Sequence, residues 1–109
     1  MACSDQFIEF LCSQIEGVGA VRTRKMFGDW CIYIDEKPLV LACDNTAYVK
    51  MHPAIAGLMD EAETGFPYEG AREHYILDID HREHAQRVLR TLLPLVPLPK
   101  KRERRKKND

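Results

Sequence analysis

The chain has 109 residues, 45% apolar and 30% charged, the make-up of one soluble globular domain. Its net charge of −1 hides an asymmetry, since residues 1–99 carry nine Lys+Arg against fifteen Asp+Glu while residues 100–109 carry seven against two, an acidic body with a basic tail. No apolar run approaches the roughly 20 residues of a membrane helix, and the first residues show no basic region leading into an apolar stretch, so the reading is a cytoplasmic protein without a secretory signal.

Taken in chain order, a first helix is predicted from Ser4 to Glu16. Ser4 is a natural N-cap, Asp5 meets the positive end of the helix dipole, and Gly17 supplies a C-cap. Phe7, Ile8, Leu11, Cys12 and Ile15 form its apolar stripe. The period then changes. Val21–Phe27, Trp30–Ile34, Leu39–Cys43 and Ala47–Met51 are short runs rich in β-branched and aromatic residues, separated by turn residues. Trp30, Ile32 and Ile34 should share one face, with Cys31 and Tyr33 on the other. Leu39–Cys43 reads as a central strand covered on both sides.

Connections this short make an antiparallel meander. Pro53 opens a predicted second helix whose buried side is Ile55, Leu58, Met59 and Ala62, and Gly65 closes it. A loop over residues 66–72 leads to a fifth strand, His74–Ile79. Asp80 and Glu83 have the form of a capping box for a last helix with Ala85, Val88, Leu89, Leu92 and Leu93 inside. Pro94, Pro97 and Pro99 stop it. The expectation is an α+β domain over residues 1–95, in the order α-β-β-β-β-α-β-α, with three helices on a single antiparallel sheet. Residues 96–109 read as a spacer and a disordered tail.

The run Arg24-Lys25-Met26-Phe27-Gly28, followed by Ile32-Tyr33, resembles the motif that enters the β-meander in the N-terminal domain of the TfoX/Sxy competence-regulator family. Pro38–Cys43, Tyr48-Val49-Lys50, the Phe66-Pro67-Tyr68 turn and Tyr75 extend the likeness over about residues 10–95. It implies a regulatory, non-catalytic module of the kind found in transcriptional co-regulators. It brings no catalytic residues, and the basic tail is unlike the second, helical domain of full-length members.

Four features bear on function. Lys100, Lys101, Arg102, Arg104, Arg105, Lys106 and Lys107 can neutralise phosphates, which predicts weak, non-specific nucleic-acid binding; the competing reading is a solvated tail. Arg22, Arg24 and Lys25 with Trp30 and Tyr33 could form a basic-aromatic sheet face, although period two sets Lys25 opposite the two arginines. His81 and His84, with Asp78, Asp80 and Glu83 nearby and His74 as a distant third, are weak metal-ligand candidates. Cys3, Cys12, Cys31 and Cys43 contain no C-x-x-C pair and read as free buried thiols.

No nucleophile–base pair, P-loop or dinucleotide fingerprint is present, so neither enzyme nor cofactor is expected. The leading expectation is a regulatory or protein-interaction module with an unknown protein partner, no membrane contact, and a homodimer left open. A small-ligand or metal-sensing domain is the alternative, and a small enzyme the third.

Overall fold

The computed structural model describes residues 3–26 and 29–98. Among these, no helix is long and apolar enough to cross a membrane. A six-stranded antiparallel sheet carries two α-helices. Its strands are β1 (Val21–Met26), β2 (Asp29–Ile34), β3 (Lys37–Cys43), β4 (Thr46–Lys50), β5 (Thr64–Gly65) and β6 (His74–Ile76). The spatial order is β1-β2-β3-β4-β6-β5. Helix α1 spans Asp5–Gln14 and α2 spans Arg82–Leu92.

Two tight hairpins build the meander. Asp35 and Glu36 sit at φ 52° and 67°, and Asp44 and Asn45 at φ 53° and 56°. Two residues with positive φ make the turn whose twist matches the strands, so each loop fixes its register without slack. Hence Ile34 faces Lys37 and Cys43 faces Thr46. A bulge opposite Ile32/Tyr33 inserts Leu39, which lets Leu39 and Val40 both enter the core.

The core lies on one face only. Ile32, Ile34, Val40, Ala42, Ala47 and Val49 meet Ile8, Leu11 and Ile15 of α1 and Ala85, Val88, Leu89 and Leu92 of α2. The helices are clipped to each other through polar groups. The buried Gln86 amide donates to the Gln14 and Glu16 carbonyls at 3.0 and 3.1 Å, and Arg82 donates to Ser13 O at 3.0 Å. These bonds satisfy carbonyls that the end of α1 leaves without helical partners. Ser4 accepts the Phe7 N–H at 3.0 Å as the N-cap of α1, and its own N–H donates to Asn45 at 2.9 Å, tying the helix start to the second hairpin.

Five expectations need correction, the first being the predicted fifth strand His74–Ile79, which is the sixth in chain order and ends at Ile76. The predicted second helix is a single 3-10 turn, Pro53–Ile55, followed by turns. Ala56 N–H bonds to Pro53 O and Ala62 N–H to Met59 O, both three residues back, and Gly57 weakens any longer helix. Gly65 ends no helix; it lies in β5 and pairs with His74. The last helix has His81 and not Asp80 at its N-cap position, with no side-chain cap bond, and the Asp78 carboxylate takes the Asp80 N–H at 3.2 Å in the turn before it. Finally, β3 is central, but helices cover only one side of it, and Leu41 on the other side is half-buried.

Candidate functional site

Two surfaces carry the residues singled out from the sequence. The first is the sheet face without helices. The register aligns Arg24, Cys31, Leu41, Tyr48 and Ile76 in one row across five strands. Beside that row lie Arg22 and Tyr33 on β1 and β2, and Lys50 and His74 on β4 and β6. None of these residues belongs to the helix-covered core. Cys31, Cys43 and His74 are buried among their neighbours, while Tyr33, Leu41, Tyr48 and Ile76 are half-exposed.

The groups on this face are organised by charge. Arg22 holds Glu36 through Nε and Nη2 at 2.8–3.2 Å, and its guanidinium carbon sits 4.3 Å from the Tyr33 ring centre. Arg24 and Lys50 are exposed and take no side-chain hydrogen bond or ion pair among the described residues. Burial pushes the Cys31 thiol above its usual range; a hydrogen bond from Tyr33 and the charges of Arg22, Arg24 and Lys50 oppose that effect. All three cations therefore act on the same patch. Cys43 is pushed up to about 12, first by burial and then by the Asp29 carboxylate beside it. Burial also raises Cys3 and Cys12. Thiols held in this protonated form are poor nucleophiles at neutral pH.

The structure divides the predicted basic-aromatic face. Arg22, Arg24 and Tyr33 share the open side, whereas Lys25 pairs with Trp30 on the helix side, its ammonium 5.9 Å from the indole centre. Phe27 and Gly28 of the motif, the Met26 side chain and the whole basic tail lie outside the described residues. The sequence reading missed Leu41, Tyr48, Lys50 and Ile76. The signal was there: two-residue turns at Asp35-Glu36 and Asp44-Asn45 fix which residues face each other, and period two does the rest.

The second surface is a cleft of about 870 Å³ where α1, the 58–63 loop and the start of α2 meet. Phe7, Phe10 and Leu58 supply apolar walls, and Glu61, Glu63, Asp78 and Asp80 supply carboxylates. Glu61 and Glu63 sit outside any helix and both line this cleft. His81 and His84 line it as well, but His81 Nδ1 is bonded to Asp78 at 2.7 Å. Among the described residues no group of three His, Cys, Asp or Glu is placed to hold a metal ion. No Lys or Arg of the described residues lines the cleft, so a small anion would meet repulsion there.

Neither serine is poised for catalysis. Ser4 Oγ is the cap of α1, and Ser13 Oγ donates to Phe10 O at 2.8 Å.

The model of the TfoX N-terminal domain matches residues 13–92, from the end of α1 through α2. The chain belongs to the TfoX N-terminal domain family. A relative from Spirochaeta aurantia, described as an uncharacterized 12.7 kDa protein in the trpE 5' region, is 30% identical over 109 residues, covering 98% of this chain and 95% of that protein. The TfoX match takes in all six strands and α2, and so includes the whole row from Arg24 to Ile76.

Proposed function

We propose that this TfoX-type domain is a non-catalytic regulatory module that works by binding a partner on its open sheet face. One observation carries the reading. A sheet with both helices on one side presents a half-exposed apolar row, Leu41, Tyr48 and Ile76, flanked by the uncommitted cations Arg24 and Lys50. Apolar side chains left half-exposed beside unpaired charge are the make-up of an interface centre and its rim. The raised thiols and committed serines fit a domain without a nucleophile.

The test is transcript profiling of a deletion strain of the native host, complemented with three forms. The wild-type chain restores the profile. A chain with Glu61→Gln and Asp78→Asn in the cleft also restores it. The Arg24→Glu/Lys50→Glu chain, folded by circular dichroism, does not. A deletion without transcriptional effect, or full rescue by the sheet-face variant, would overturn the reading.

A second reading concerns the tail. Its seven cations, from Lys100 to Lys107, support weak nucleic-acid contact that is additional to the sheet face. If all seven engage duplex phosphates, the logarithm of affinity falls with the logarithm of salt at a slope of about −6. Ending the chain at Pro99 abolishes that binding; unchanged affinity in fluorescence anisotropy rules the tail out.

A further inference from the structure

We propose that the partner of the open sheet face is an acidic, amphipathic protein segment laid across the strands. This rests on the sheet-face reading above and adds the chemistry of the occupant.

Geometry sets the direction of the segment. Neighbouring strands lie about 4.8 Å apart, so the row from Arg24 to Ile76 is about 19 Å long and Leu41 to Ile76 about 10 Å. A helix rises 1.5 Å per residue, so roughly 13 residues cover the row and two turns cover Leu41 to Ile76. Apolar side chains spaced one or two turns apart would therefore meet Leu41, Tyr48 and Ile76. A carboxylate at one end would reach Arg24, and a flanking one Lys50.

Charge sets its chemistry. Arg22 already holds Glu36, and the Asp29 carboxylate lies against the Cys43 thiol near one end of this side, so Arg24 and Lys50 are the cations that flank the row without an ion pair among the described residues. The row therefore attracts carboxylates, although the body as a whole is acidic.

Nucleic acid fits the same face less well. Arg24 and Lys50 alone would yield a salt slope of only about −2, little of the electrostatic affinity that phosphate binding relies on. Base stacking needs open aromatic faces. The Tyr33 ring is covered by Arg22 at 4.3 Å. Tyr48 packs against Gly65, where an added Cβ would lie 3.3 Å from its ring, and meets His74 edge-on.

The experiment is a nitrogen-15 NMR titration of the full chain with three probes. One is a 16-residue peptide with leucines at helical spacing and glutamates elsewhere. The second has lysine for each glutamate, and the third is a dT12 oligonucleotide. Affinities are read from the amides of Arg24, Cys31, Leu41, Tyr48, Lys50 and Ile76, so binding to the tail is scored apart. The acidic peptide is expected to shift these amides with at least tenfold higher affinity than the lysine peptide. Arg24→Glu/Lys50→Glu, with amide dispersion intact, reverses that preference. Equal response to both peptides overturns the acidic segment. A stronger response to dT12 overturns it too while leaving the face as the binding surface. No response to any probe removes the face along with it.

Discussion

At the scale of single residues, polar groups of this domain fasten its elements to one another. Gln86, Arg82 and Ser4 close the ends of α1, and Asp35 accepts the Ala20 N–H at 2.8 Å to seat the chain before β1. Burial, with the Asp29 carboxylate, pushes the Cys43 thiol up to about 12 in the fold, from 9.0 for a free thiol. The unfolded chain therefore loses this proton first as pH rises. Stability from the buried thiol is complete below about pH 9 and is lost progressively as pH climbs toward 12. Urea midpoints measured from pH 8 to pH 11 should fall for the wild type and fall less for Cys43→Ala. Equal falls in the two proteins would show that the thiol plays no part. The burial of Cys31 and Cys43 was legible in the sequence, because both lie within apolar patterns, whereas Cys12, on the apolar stripe of α1, is only half-buried. The Asp29 carboxylate beside Cys43 was not legible, because it depends on a register set by turns further along the chain.

At the scale of elements, the hairpins decide what the sheet presents. Glu36 holds φ 67°, a conformation that costs a residue with a Cβ about 1 kcal/mol and that glycine adopts freely. Its ion pair with Arg22 is exposed, with side chains 62% and 46% accessible, and such pairs contribute about 0.2–1 kcal/mol. The turn term is the larger of the two. Glu36→Gly should hold the thermal midpoint or raise it by a few degrees, while releasing Arg22 from its fixed place over Tyr33. A fall of more than about 5 °C would mean that the pair dominates.

The meander itself was legible, since alternation and turn residues mark β1 to β4 without help from the rest of the chain. The helix after β4 was misread for a physical reason. Ile55, Leu58, Met59 and Ala62 have helical spacing, but a tight turn buries Ile55 and Met59 equally well, and Pro53 and Gly57 tip the balance. Strand β5 escaped because two residues carry no period; its existence follows from the neighbouring β6 offering a free edge.

At the scale of the molecule, the fold presents two surfaces that adjoin at Ile76. The helix side holds the carboxylate-lined cleft, and the bare sheet side holds Arg24 and Lys50 around an apolar row. The edge strand β1 carries Arg22 and Arg24 on one face and Lys25 on the other, so an antiparallel second copy would bring like charges together along the edge. That arrangement guards the edge and leaves the flat face as the better place for a partner. The sequence revealed that cations and tyrosines enter the meander, but which of them share a side emerged only from the register.

The most direct test is site-specific photocrosslinking in the native host, with p-benzoylphenylalanine in place of Tyr48 on the sheet face or of Phe10 in the cleft. The account predicts a discrete adduct from position 48, lost when Arg24→Glu and Lys50→Glu are added, and none from position 10. An adduct from position 10 alone would place the working surface in the cleft and contradict it.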